Sequence, residues 1–190
     1  MRVISGSARG RQLATFAGRE IRPTPDRVRE ALFSMLYSRR GALTESKVLD
    51  LFAGSGALGI EALSRGAQHA WFVDSSRQAV QTIGTNLERC RLSPRATIVL
   101  HDIWQALPGI AEAGPFAVIF ADPPYGHDHG PRLLQEADRP GLLAPQGLLF
   151  LETAASDQIP DRCGTLHLLD RRRYGSTLIH VFQVRSEDQT

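Results

Sequence analysis

From residue 48 onward, short apolar runs alternate with amphipathic stretches. The runs cover residues 48–52, 70–73, 96–100, 116–120 and 147–151, and the segments between them with helical spacing cover 58–65, 77–89, 104–112 and 131–137. Strands and helices alternating at this spacing predict a Rossmann-like α/β fold, a mainly parallel sheet covered on both faces. Two further runs, 165–169 and 177–184, have no helix between them and predict an antiparallel edge hairpin turning at Tyr174-Gly175-Ser176. Before residue 48 the pattern differs. Residues 1–20 alternate loosely around Gly10 as a small hairpin would, and Thr24-Pro25-Asp26 reads as a helix start, with Thr as N-cap and Pro in the first turn. Val28, Leu32, Met35 and Leu36 then form one apolar stripe, with Arg27, Arg29 and Glu30 off it. The chain thus divides into an extension, 1–40, and a main α/β domain, 41–190.

Charge separates these two parts. The whole chain carries only +2, but residues 1–40 hold nine arginines against Glu20, Asp26 and Glu30, a balance of +6 that leaves −4 for the remainder. Arg171-Arg172-Arg173 is a second basic cluster. Arginine forks onto phosphates and stacks on bases, so a polyanionic partner fits the extension. Cys90 and Cys163 stand far apart without metal-ligand spacing, which predicts neither a disulfide framework nor a metal. With no apolar run of membrane-spanning length and no signal-peptide core, a cytoplasmic protein is expected.

Two motifs carry chemistry. Gly54-Ser55-Gly56-Ala57-Leu58-Gly59 places G-x-G-x-x-G after the first strand, and Asp74 ends the next strand 20 residues after Gly54. Such a loop approaches an adenosine-bearing cofactor closely, and such an acid grips ribose hydroxyls. Asp50, just ahead of the glycines, would oppose a pyrophosphate but suit a cation. That disfavours NAD and favours S-adenosyl-L-methionine, whose sulfonium and ammonium are positive. Asp102 after the third strand suits either the adenine amine, with Ile103 packing on the ring, or an N-cap ahead of Trp104. The second motif is Asp122-Pro123-Pro124-Tyr125, at the exit of the fourth strand. Its prolines stiffen the turn and remove N–H donors, leaving the Asp122 carboxylate, free carbonyls and a flat ring. That set fits a planar ligand with an amine, held with its lone pair aimed at a methyl group. His127-Asp128-His129 reads as a polar loop, and 127–131, with Gly126 and Gly130 to give it freedom, as a lid over the base.

The glycine loop with S-R-G-A after it, F-V-D at 72–74, A-D-P-P-Y at 121–125, R-P-T-P-D-R-V-R-E-A-L-F at 22–33 and the opening V-I-S-G-S-A-R-G-R together resemble the RsmD family. These are bacterial guanine-N2 methyltransferases of 16S ribosomal RNA. The resemblance spans nearly the whole chain. It implies a seven-stranded class I methyltransferase sheet, a small RNA-binding N-terminal extension, and a target guanine on an assembled or assembling small subunit. It also implies that Asp50 and the loop residues Phe52, Ala53, Gly54, Ser55 and Gly56 line the cofactor pocket, with Asp74 and Ser75, then Asp102 and Ile103, completing it. Asp122, Pro123, Pro124 and Tyr125 would hold the base. Relatives often carry Glu at the position of Asp74 and sometimes Phe at that of Tyr125, so the ring face rather than the hydroxyl matters there. Arg9, Arg11, Arg22, Arg27 and Arg29 are the expected phosphate contacts, in a protein acting as a monomer.

Three rivals are set against this reading. Adenine-N6 or cytosine-N4 methylation of DNA uses the same turn, but a duplex base must be flipped, and about 190 residues leave no separate domain to read DNA. An NAD-dependent oxidoreductase is opposed by Asp50. A non-catalytic RNA-binding module is opposed by the intact cofactor loop.

Overall fold

The structure, a computed structural model, describes residues 1–15, 26–124 and 129–185. After helix α1 (Asp26–Arg40), the chain alternates through β1 (Lys47–Leu51), α2 (Ala57–Ser64), β2 (His69–Asp74), α3 (Arg77–Cys90), β3 (Ala96–Leu100), α4 (Ile103–Ala111), β4 (Phe116–Ala121), α5 (His129–Ala137) and β5 (Leu143–Ala154). It ends in β6 (Arg162–Cys163), β7 (Leu166–Tyr174) and β8 (Thr177–Val184). The sheet order is β3-β2-β1-β4-β5-β8-β7-β6, parallel from β3 to β5 and antiparallel beyond. The mainly parallel sheet with an antiparallel edge is therefore present, with eight strands among the described residues where seven were expected, one of them the two-residue β6. Gly175 takes a φ of 64° between the paired Tyr174 and Thr177, closing the predicted hairpin.

Because side chains alternate across a strand, each strand feeds two cores. Val48, Val118, Phe120, Leu148 and Phe150 face one way, into a cluster with residues of α1, α2 and α3. Leu49, Leu51, Ile119, Ala121, Leu149 and Leu151 face the other, against α4 and α5. The extension shares the first core: Val3, Ala8, Leu13, Val28, Leu32 and Leu36 are buried in it, and Phe33 meets Phe120 at 5.5 Å between ring centroids. Strand order reverses between β1 and β4, the place in such sheets where loops part and leave a crevice.

The expected N-terminal hairpin is present as one antiparallel bridge, Arg2 to Gln12, flanked by backbone bonds from Val3 N to Arg11 O and from Leu13 N to Met1 O, and residues 16–20 lie outside the described residues. Helix α2 holds it as well. Buried Glu61 accepts from Ile4 N at 2.8 Å and Ser5 N at 3.0 Å, while Ser64 Oγ accepts from Ala8 N and donates to Ser5 O. Gly6 lies so close that a Cβ there would stand 1.9 Å from the Ser64 carbonyl oxygen, which explains the glycine of V-I-S-G. The extension is thus docked through its backbone. The proposed cap Thr24 lies outside the described residues.

Arg29 corrects an expectation. It is buried rather than on the solvent face, its Nη2 donating to Arg2 O at 2.5 Å and to Asp26 at 2.9 Å. Helix α1 is covered on two sides, by the sheet and by residues 1–13, so its buried arc widens to include residues 29 and 33. Burial lowers the pKa of this guanidinium, with Asp26 and Glu61 acting against that. Arg29 is a structural cation and presents no surface to phosphate. The cluster at 171–173 is also engaged internally. Arg171 donates to His180 Nδ1, Ile159 O and Asp161, Arg172 joins Arg39 on Asp170, and Arg173 donates to Gly175 O.

Among the described residues no helix is long and apolar enough to cross a membrane, and no group of three or more His, Cys, Asp or Glu could hold a metal. Cys90 is buried and Cys163 half-buried, both as free thiols.

Candidate active site

The glycine loop joins β1 to α2 at the reversal of strand order. Phe52 enters it with a φ of 55°, a left-handed conformation costing a β-carbon residue about 1–2 kcal/mol, and Gly54 and Gly56 continue it at φ 55° and 75°. A Cβ on Gly56 would press to 3.2–3.3 Å on Ile83, Ile60 and Phe72. One on Gly59 would sit 2.3 Å from the Phe72 ring, so the third glycine lets α2 lie directly on β2. Gly56 is the left-handed N-cap of α2 and brings no side-chain cap of its own. Asp50 supplies the missing acceptor, taking the Gly59 N–H at 2.8 Å from below.

Asp74 acts as a strut between two loops. One carboxylate oxygen accepts from Gly54 N at 2.8 Å and the other from Ser76 N at 2.8 Å, which fixes the glycine loop against the exit of β2 while leaving lone pairs on both oxygens. Ser75 beside it is exposed. Asp102 takes the N-cap alternative through a single oxygen, Oδ1, which accepts from Trp104 N and Gln105 N. Ile103 points inward and is only 3% exposed, so little of it is left to pack on an adenine ring. Ala53 is buried, with its N–H bonded to Val73 O.

Across the crevice, Leu51 of β1 pairs with Ala121 of β4, and Ala121 with Leu151 of β5. Asp122 therefore leaves the sheet between the ends of β1 and β5. Residues 48 and 50, 118 and 120, and 148 and 150 share one face, and by the same alternation Asp122 and Glu152 continue it. Three carboxylates, Asp50, Asp122 and Glu152, thus rise on one side of neighbouring strand ends. Their electrostatics show it. Burial pushes the Asp50 carboxyl up to about 8, against the Gly59 hydrogen bond, with the Asp74 charge adding to the rise. Burial also raises Asp122 well above the usual carboxylate range, helped by the charges of Glu152 and Asp50. Pro123 is buried and Pro124 exposed. Tyr125 and His127 lie outside the described residues, as does Arg22. Residues 129–131, expected as part of a lid, are instead the first turn of α5.

Sequence reasoning missed three contributors. Glu152 was hidden because the apolar run of β5 ends at Leu151, while the strand itself continues to Ala154. Trp104 stacks on His129 at 5.6 Å, meets Phe52 edge-on at 6.2 Å and carries Arg132 4.0 Å from its ring centroid, an aromatic wall that joins α4, α5 and the glycine loop. Buried Asn86 of α3 bonds both N–H and C=O of Ala14 and also donates to Ser55 O, which ties the extension to the cofactor loop. Nothing in the sequence marks an isolated Asn as such a tie.

The residues present fit a cationic adenosine cofactor: a turn held at left-handed φ by Gly54 and Gly56 with no side chain on either, Asp74 with accepting capacity at the second strand, and Asp50 beneath the loop. This sheet order, loop and crevice define the fold of the class I, S-adenosylmethionine-dependent methyltransferases. The family described as "Conserved hypothetical protein 95" matches residues 1–183, and the chain belongs to this family, the RsmD family. It is 40% identical over 189 residues to the "Putative rRNA methyltransferase YlbH" of Bacillus subtilis, covering 97% of this chain and 100% of that one. It is 30% identical over 191 residues to "Ribosomal RNA small subunit methyltransferase D" of Escherichia coli K12, covering 100% and 93%. Among solved structures, the "Putative methyltransferase yhhF from Escherichia coli" superposes with a TM-score of 0.83 at 30% identity over 98% of this chain and 99% of that one.

Proposed function

We propose that this chain methylates the exocyclic N2 amine of a guanine in small-subunit ribosomal RNA, using S-adenosyl-L-methionine, on an assembled or assembling small subunit. The observation that carries the reading is the register of β1 against β4, which sets the glycine loop and Asp122 on adjoining strand ends, so a methyl donor and an amine would be neighbours. The names of the full-length relatives support ribosomal RNA as the substrate, and the family resemblance supports guanine.

When bound, the cofactor supplies an electrophilic methyl group on a positive sulfur. Asp50, Asp122 and Glu152 together favour that positive charge, and Asp74 offers its remaining lone pairs to the ribose. The Asp122 carboxylate and the Pro123 carbonyl accept the two amine hydrogens, which turns the nitrogen lone pair toward the methyl carbon, and Tyr125 stacks on the base. An exocyclic amine is a poor nucleophile, so most of the acceleration comes from this alignment, with charge stabilisation by Asp122 added. As the new N–C bond forms and the C–S bond breaks, the nitrogen becomes acidic. Asp122, made more basic by burial and by Glu152, takes its proton.

The test is to incubate the protein with methyl-labelled S-adenosylmethionine and, separately, unmodified small subunits, free 16S RNA and duplex DNA, then digest and identify the labelled nucleoside. Label in N2-methylguanosine from subunits or RNA is expected. Label in methylated adenine or cytosine from DNA, or no label from any substrate, overturns the reading.

Arg9 and Arg27 are exposed, whereas Arg11 donates to the Arg89 carbonyl at the end of α3. Replacing Arg9 and Arg27 together by Gln is expected to weaken RNA binding and flatten its dependence on salt, lowering the log–log slope by roughly 1–2. An unchanged slope would make this side of the extension a solvated face without RNA.

A further inference from the structure

The turn at Asp122 selects an amine and not a base. Adenine, cytosine and guanine all carry one, and the Asp122 carboxylate with the Pro123 carbonyl would accept from any of them. The bases differ in the ring nitrogen beside the amine. In adenine and cytosine that nitrogen is a bare acceptor, whereas in guanine N1 carries a hydrogen that runs parallel to those of N2. A second acceptor beside Asp122 would therefore welcome guanine and repel the other two.

Glu152 stands at that place. Phe120 pairs with Phe150 and Ala121 with Leu151, so the residues that follow, Asp122 and Glu152, continue on adjacent parallel strands about 4.8 Å apart. Both fall on the face of Phe120 and Phe150, whose rings are 5.7 Å apart beneath them. Glu is longer than Asp by one methylene, which lets its carboxylate lean across that spacing toward the same ligand. On its other flank its β8 register partner is the buried, apolar Ile179. The charge of Glu152 raises the Asp122 pKa, as this adjacency requires. An ionised carboxylate only accepts, so here it rejects a bare ring nitrogen as well as binding an N–H.

We propose that Glu152 is a specificity-determining residue that accepts the guanine N1–H while Asp122 holds the N2 amine. This rests on the guanine-N2 reading above and supplies a physical reason for it within the chain itself. Glu152 is half-buried, and its position at a strand end rather than in a loop fixes its direction.

The experiment uses small subunits assembled on 16S RNA in which the modified position, once located, carries either guanosine or 2-aminopurine riboside. The analogue keeps the 2-amine but presents N1 as a bare acceptor. The wild-type protein should prefer guanosine by about a hundredfold or more in kcat/KM, toward the roughly 10⁴-fold expected where a site built to bond an N–H meets an analogue lacking it. Glu152→Gln, nearly isosteric, offers an amide N–H to that nitrogen and should bring the two substrates to within about tenfold or reverse their order. An unchanged melting temperature would show that the variant is folded, and any loss of cofactor affinity falls equally on both substrates and cancels in their ratio. Wild-type protein that methylates both substrates equally, or a Glu152→Gln variant that keeps the wild-type ratio, overturns the role of Glu152 and leaves guanine methylation standing. On the guanosine substrate, wild-type label in a base other than guanine overturns the functional reading itself.

Discussion

Replacing Asp122 by Ala should lower single-turnover methylation at saturating cofactor by roughly 10³-fold, far more than it weakens cofactor binding, because alignment of the amine and stabilisation of its developing charge are lost together. Asp122→Asn keeps an acceptor oxygen but not the charge, and should fall between the variant and the wild type. The pH dependence separates orientation from proton transfer. Burial, then Glu152, then Asp50 raise the Asp122 pKa. At low pH the carboxyl is protonated and can neither take the amine proton nor offer its charge to the nitrogen, so the wild-type rate should rise with pH through that elevated pKa. A bound sulfonium opposes the two carboxylate neighbours, so the rise should come at lower pH in kcat than in kcat/KM for the cofactor. Asp122→Asn should be flat over the same range. Full turnover in the Ala variant would remove Asp122 from the mechanism, and an unchanged profile in the Asn variant would assign the titration to another group.

The same carboxylates show what the sequence made legible. Periodicity placed the strands and helices to within a few residues, because runs such as 116–120 are buried on both faces and have no polar position to confuse them. The glycine loop was readable because each glycine answers a local demand, a left-handed φ at Gly54 and Gly56 and the contact with Phe72 at Gly59. What escaped was whatever depends on two segments meeting. Glu152 looks like the polar end of a strand until β4 is laid beside it. Arg29 looks exposed until residues 1–13 cover the second side of α1. V-I-S-G and S-R-G-A both carry the family resemblance, yet only the fold shows that the segments around them answer each other, the backbone of Ile4 and Ser5 binding Glu61 and that of Ala8 binding Ser64. Asp102 could have served either as a cap or as an adenine acceptor, and one of its oxygens caps α4.

Docking of the extension also bears on how RNA and cofactor binding are joined. Asn86 holds Ala14 and the Ser55 carbonyl at once, so the segment that precedes the basic helix is bonded to the loop expected to hold the cofactor. The carboxylate cluster lies on the same face as α1, since Phe33 packs on Phe120 and Phe120 on Phe150. The extension and the carboxylate cluster thus share one face of the sheet, while residues 6–8 of the extension rest on Ser64, at the end of α2 away from the glycine loop.

Asp50 illustrates the cost of preparing such a site, and Asp50→Asn should make the protein more stable and less able to bind its cofactor. The carboxyl is 3% exposed, and its pKa rises from 3.8 in the unfolded chain to about 8 in the folded protein. Between those values the folded state binds the extra proton, so the stabilisation linked to that proton is present in full below pH 3.8 and is lost as pH rises toward 8. Asn keeps the oxygen that accepts from Gly59 N and carries no charge to bury. Its melting temperature should match the wild type in acid and exceed it at pH 8 by about 4–8 °C, equivalent to about 2 kcal/mol for a chain of this size. Loss of the charge should weaken S-adenosylmethionine binding by roughly tenfold or more, and S-adenosylhomocysteine, which lacks the sulfonium, by less. Because the cation favours the ionised carboxylate, binding to the wild type near pH 7 should release protons, visible as a calorimetric enthalpy that depends on the buffer, and the variant should release fewer. A variant that melts below the wild type at pH 8, with unchanged cofactor affinity and proton release, would show that Asp50 serves only to hold the glycine loop.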